Sequence, residues 1–102
     1  MFTVVVTDRF REWYEEVSDR KARMRISARL DQAEAGNLGD WKAVGEGVSE
    51  MRIAFGPGYR LYFMRRGQVV IVMLGGGDKS SQTSDIRRAQ RLARELRQEE
   101  ER

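Results

Sequence analysis

The chain has 102 residues, with no cysteine and no histidine. Its length supports one hydrophobic core and one domain, 1–102; the missing cysteine excludes disulfides and thiolate metal sites, and the missing histidine removes the usual general base and the commonest metal ligand. Net charge is +3 but unevenly placed: residues 48–94 carry 9 basic and 3 acidic side chains, against 8 and 9 in residues 1–47 and 2 and 4 in residues 95–102.

Phe2 to Val6 is short and β-branched, the composition of a strand. Thr7 or Asp8 then caps a helix whose stripe is Phe10, Trp13, Tyr14 and Val17, at i, i+3, i+4, i+7. An aromatic stripe at this spacing belongs to a core. Ser18 or Asp19 restarts the count, and Ala22, Ile26, Leu30 and Ala33 mark a second helix that stops at Gly36-Asn37. The two make an antiparallel hairpin. The basic run from Arg20 to Arg29 reads as a solvated helix surface rather than a nucleic-acid site. Trp41 and Val44 are buried anchors of a short strand or extended loop.

From Val48 to Lys79 three strand-forming runs are divided by two turns. Met51, Ile53 and Phe55 alternate with Glu50, Arg52 and Ala54, which places a carboxylate and a guanidinium on the face opposite the core. Gly56-Pro57-Gly58-Tyr59 suits a type II turn. In the next run Leu61 and Phe63 share one face, and Arg60, Tyr62 and Met64 the other. Arg66-Gly67 makes the second turn. Val69 to Leu74 is apolar throughout, as a strand covered on both sides would be. The three runs make an antiparallel meander, with Glu50, Arg52, Arg60 and Tyr62 converging on its second face. After Lys79, SSQTSD is rich in capping residues, and Ile86, Ala89, Leu92, Ala93 and Leu96 form the stripe of a last helix. Its acidic end, 95–102, is unpatterned and expected to fray.

Sixteen of the 19 basic residues are Arg, which pairs bidentately with phosphate, so a polyanionic partner competes evenly with plain solubility. No apolar run approaches the ~20 residues that span a bilayer. Met1-Phe2-Thr3 lacks the basic start of a signal peptide, and a cytoplasmic address with no membrane contact is expected.

The order strand, two helices, meander, helix, together with RLDQAEAGNLGDWKAVGEGVSEMRIAFGPGYRLYF (29–63) and VVIVMLGGGDKSSQTSDI (69–86), resembles the RelE/ParE toxin superfamily. Within it the chain is similar to the HigB-like, phage-derived addiction-module killer proteins. The resemblance implies an α+β, RelE-like fold and the toxin of a type II toxin–antitoxin module, an endoribonuclease (mRNA interferase) that needs no cofactor or metal and cuts mRNA, in many relatives on the translating ribosome. It also implies a cognate antitoxin, in this branch a small helix-turn-helix protein. ParE relatives share the fold but inhibit DNA gyrase without nuclease activity, and that is the alternative. A relative that has lost catalysis is a third possibility.

Metal-free RNA cleavage needs a group to take the 2′-hydroxyl proton, cations on the phosphorane oxygens and an acid for the leaving 5′-oxygen. Arg60 matches the family's Gly-Tyr-Arg position and is the expected phosphate clamp. Arg52 falls near the catalytic lysine of RelE; as an arginine it stabilises charge but is a poor base. Glu50 is either the base or the ion-pair partner of Arg52. Lys79, in the family's Gly-Asp-Lys motif, contacts phosphate or protonates the leaving group, and Asp78 orients it or caps the segment beyond it. Tyr62 stacks a base, donates a proton, or belongs to the core. Gln82 lies near the family's RNA-binding cleft or caps the last helix.

Overall fold

The structure, a computed structural model, describes residues 1–101. Strand β1 (Thr3–Val6) leads into helices α1 (Asp8–Glu16) and α2 (Arg20–Glu34). Four strands come next: β2 (Trp41–Gly45), β3 (Val48–Ile53), β4 (Tyr59–Arg66) and β5 (Val70–Gly77). One 3-10 turn (Lys79–Ser81) then leads to helix α3 (Gln82–Glu100).

The helices start where short polar side chains satisfy free backbone N–H groups. Thr7 accepts at Oγ1 from the Phe10 N–H (3.2 Å) and donates to the Met73 carbonyl (2.8 Å), so one side chain caps α1 and ties it to β5. Asp19 accepts from the N–H groups of Lys21 and Ala22 to begin α2. Past its end lies Gly36, at φ 101, where a side chain would be strained. Tyr14 and Ser27 join the helices through their hydroxyls, 2.7 Å apart.

The strands form one mixed sheet in the order β1-β5-β4-β3-β2. β2 to β5 are antiparallel, and β1 lies parallel to β5 from Thr3↔Val70 to Val6↔Met73. Alternation then sorts the side chains. Met51, Ile53, Leu61, Phe63, Ile71 and Met73 form one core with Phe10 and Ile26 of α1 and α2. Val48, Tyr62, Met64, Val72 and Leu74 form a second with Ala89 and Ala93 of α3. β5 is therefore covered on both faces, which accounts for the apolar run from Val70 to Leu74; Val69, read as the start of that run, lies before the strand and is exposed. Each fully buried aliphatic side chain there contributes about 1.5–3 kcal/mol.

Four further details differ from the sequence reading. The segment around Trp41 and Val44 is a strand, yet Trp41 remains exposed. The β3–β4 turn closes one residue early: the Gly58 N–H bonds the Phe55 carbonyl (3.1 Å), with Gly56 at φ 56 and Gly58 at φ 80. The acidic end of α3 is helical through Glu100, and Arg66 of β4 bonds Glu100. Arg29, from the run read as solvated, donates to the carbonyls of Arg52 (2.5 Å), Leu38 (3.0 Å) and Asp40 (3.1 Å). Burial lowers its pKa, opposed by the Asp40 carboxylate. Arg29 thus holds residues 38–40 against β3. Among the described residues no helix is long and apolar enough to cross a membrane.

Candidate functional site

Register brings the expected polar residues together. Arg52 of β3 lies opposite Arg60 of β4, which lies opposite Gly77 of β5. Two residues along, Glu50, Tyr62 and Gly75 form the parallel row. All four side chains leave the sheet on the face that α3 covers, because Met51, Ile53, Leu61 and Phe63 take the other. The first turn of α3 lies above Glu50.

Glu50 has no exposed surface. Its Oε1 accepts from Gln82 Nε2 (2.9 Å), and its Oε2 has no partner among the described residues. Gln82 therefore ties α3 to β3. Arg52 does not pair with Glu50, the partner on its own strand face. It bonds Asp40 at 2.9 Å, and its backbone N–H reaches the Asp40 carbonyl at the same distance. The Nε atoms of Arg52 and Arg60 are buried without partners, while both residues keep partial exposure. Two guanidinium groups on adjoining strands thus have unused donors.

Tyr62 is 1% exposed, and its hydroxyl is also without a partner. Burial raises its pKa, and the carboxylates of Glu50 and Asp85 push the same way, against Arg60. No face of its ring is open for a base to stack on, so Tyr62 serves the core beneath the arginines.

Asp78 and Lys79 lie where β5 leaves the sheet. The Asp78 carboxylate accepts from the Ser80 hydroxyl and from the Ser80 N–H (2.8 Å), which lowers its pKa. It caps the 3-10 turn rather than pairing with Lys79. The Lys79 side chain is exposed, and its N–H bonds the Pro57 carbonyl (3.4 Å). A Cβ built on Gly58 would come within 3.5 Å of the Lys79 Cβ. Lys79 therefore sits against the turn two residues before Arg60.

Asp85 was not singled out from sequence, where it reads as an ordinary acidic residue in a first helical turn. It is 9% exposed, takes a hydrogen bond from Ser81 and presses on Gly77, where a Cβ would lie 1.9 Å from its Oδ2. The only hint in the sequence is a glycine at the strand's last position. Among the described residues no three acidic, histidine or cysteine side chains converge to hold a metal ion.

No protein-family model matches the chain. A Haemophilus influenzae protein, described only as an uncharacterized protein, is 41% identical to it over 87 residues, covering 85% of this chain and 88% of its own length.

Proposed function

The chain belongs to one family with that Haemophilus influenzae protein, and we propose that it is a RelE/ParE-type toxin of a toxin–antitoxin module, an endoribonuclease that cuts mRNA without a metal. One observation carries the reading: Arg52 and Arg60 face each other across two strands with unpartnered Nε donors, and Lys79 stands at the same end of the sheet. Cations held this way suit a phosphodiester that gains charge in the transition state.

In this mechanism the 2′-oxygen attacks phosphorus, the P–O5′ bond breaks and a 2′,3′-cyclic phosphate forms. Arg60 and Arg52 stabilise the phosphorane oxygens by charge-assisted hydrogen bonds. Lys79, exposed at the strand end, protonates the departing O5′. Glu50 takes the 2′-proton at Oε2, the oxygen that Gln82 leaves free. Because Glu50 is buried, that transfer runs through a water admitted between Arg60 and the first turn of α3. Gln82 holds the carboxylate in place, Tyr62 belongs to the core, and neither touches RNA. Asp78 supports Lys79 by capping its turn. Messenger RNA on the ribosome is the proposed substrate and a small helix-turn-helix antitoxin the proposed partner, both in the cytoplasm.

Induced expression with transcript mapping tests the reading. Growth arrest with cut mRNA carrying 2′,3′-cyclic ends is expected. Arrest with intact transcripts and double-strand DNA breaks would replace it by the gyrase-inhibitor alternative.

A further inference from the structure

A cavity of about 450 Å3 lies away from the arginine pair, between α1 and α3. Its floor is the outer edge of β5. β1 accompanies β5 only as far as Met73, so from Leu74 onward no strand borders that edge. Arg9 overlooks it from α1, and Arg88 and Arg91, one turn apart, from α3. Among the described residues Arg9 and Arg91 join no ion pair, and Arg88 reaches only Asp85, at 3.7 Å. Glu12 and Glu16 line the same cleft.

The three glycines that end β5 differ in what the fold asks of them. A Cβ at Gly76 would lie 2.3 Å from the Trp13 ring, and one at Gly77 1.9 Å from Asp85. Gly75 has no such neighbour: a Cβ there meets Arg9 Cδ at 3.7 Å, ordinary contact. Nor is its backbone left-handed. A glycine inside a strand weakens it, and often marks a place where a ligand comes close to the backbone. Gly75 lines the cleft.

We propose that this cleft binds one nucleotide of the RNA chain, beside the nucleotide that is cut. The inference rests on the ribonuclease reading. Arg9, Arg88 and Arg91 suit its phosphate. The bare edge of Leu74 to Gly76 offers both donors and acceptors to the rim of a base, and Glu12 or Glu16 accepts from an exocyclic amino group. An acidic peptide would match the arginines but not the glutamates. Asp85 lies at the join, lining the cleft on one side and touching Gly77 on the other.

The test uses a labelled hexanucleotide with every 2′-hydroxyl methylated, so that it binds but is not cut. Gly75→Val changes no charge, adds a β-branched side chain suited to a strand and fills the floor. Anisotropy should show binding weakened about tenfold or more, with melting unchanged within a few degrees. Arg88→Ala with Arg91→Ala should weaken it similarly. If Gly75→Val does not fold, amide NMR of the wild type with adenosine 5′-monophosphate decides. The Gly75 and Gly76 amides and the Trp13 indole N–H should shift most. Unchanged RNA binding in the folded variants, or shifts confined to Arg60 and Gln82, overturns the cleft and leaves the ribonuclease reading standing. Wild type that binds no RNA and cuts none overturns both.

Discussion

Arg52 and Arg60 occupy directly opposed positions on β3 and β4, two like charges where opposite ones would be stabilising. Asp40 neutralises Arg52 from the side, and the described residues provide no counter-ion for Arg60. A fold that keeps such a pair bears a cost, which an anion bound between the two would relieve.

Arg60→Ala should therefore separate activity from stability. On the proposed function, toxicity on induction should disappear, because the proposed phosphate clamp is gone. Stability in urea should hold or rise by about 0.5 kcal/mol as the like-charge pair is removed. The complex with the proposed antitoxin should survive, since no core packing is lost. Growth arrest of unchanged strength at equal expression would count against the site.

Gly77→Ala tests the contact with Asp85. The added Cβ would sit 1.9 Å from Oδ2 and 2.8 Å from Cγ of Asp85, so either the carboxylate swings off its Ser81 contact or strand and helix part. A loss of about 1–3 kcal/mol is expected, the range for overpacking. Asp85→Ala removes both atoms. The double variant should recover much of the loss, giving a coupling of about 1 kcal/mol or more in a double-mutant cycle. Additive losses would show that the strain is taken up elsewhere.

Gln82→Ala should be more damaging than Glu50→Gln. The first leaves a fully buried carboxylate without its one hydrogen-bond donor, at a cost of about 1.5–3 kcal/mol. The second keeps the shape and removes the charge, so it should cost less. Denaturant midpoints on the two variants check the order, and equal midpoints would mean that Gln82 does not hold Glu50.

The split between polar and apolar faces was legible because strand alternation is local: Met51 and Ile53 against Glu50 and Arg52 suffices. Helix starts were legible for the same reason, at Thr7 and Asp19. The cover over a face is a different matter. Glu50 is buried only because α3 folds back over β3, through a partner 32 residues away. Arg29 looked like one more exposed cation in a basic run. Its three carbonyl partners lie 9 to 23 residues further on, two in the unpatterned loop before β2 and one on β3. Asp85 escaped notice because its constraint is steric, and sterics between a strand end and a helix leave no periodic trace.

Tyr62→Phe bears on pH as well as packing. The hydroxyl is buried without a partner, so losing it should leave stability at neutral pH unchanged or raise it by about 1 kcal/mol. Its folded pKa is raised, chiefly by burial and then by Glu50 and Asp85. Below the unfolded value near 10 the tyrosine is neutral in both states. Above it the unfolded chain ionises first, so the wild type loses stability as pH climbs from about 10 toward the folded value. Phenylalanine has no proton to lose, and this part of the alkaline loss should vanish from the variant. Urea unfolding at about pH 8 and pH 11 measures both slopes, with Tyr14 and Tyr59 common to the two proteins. Parallel slopes would mean that the Tyr62 hydroxyl reaches solvent in the folded protein.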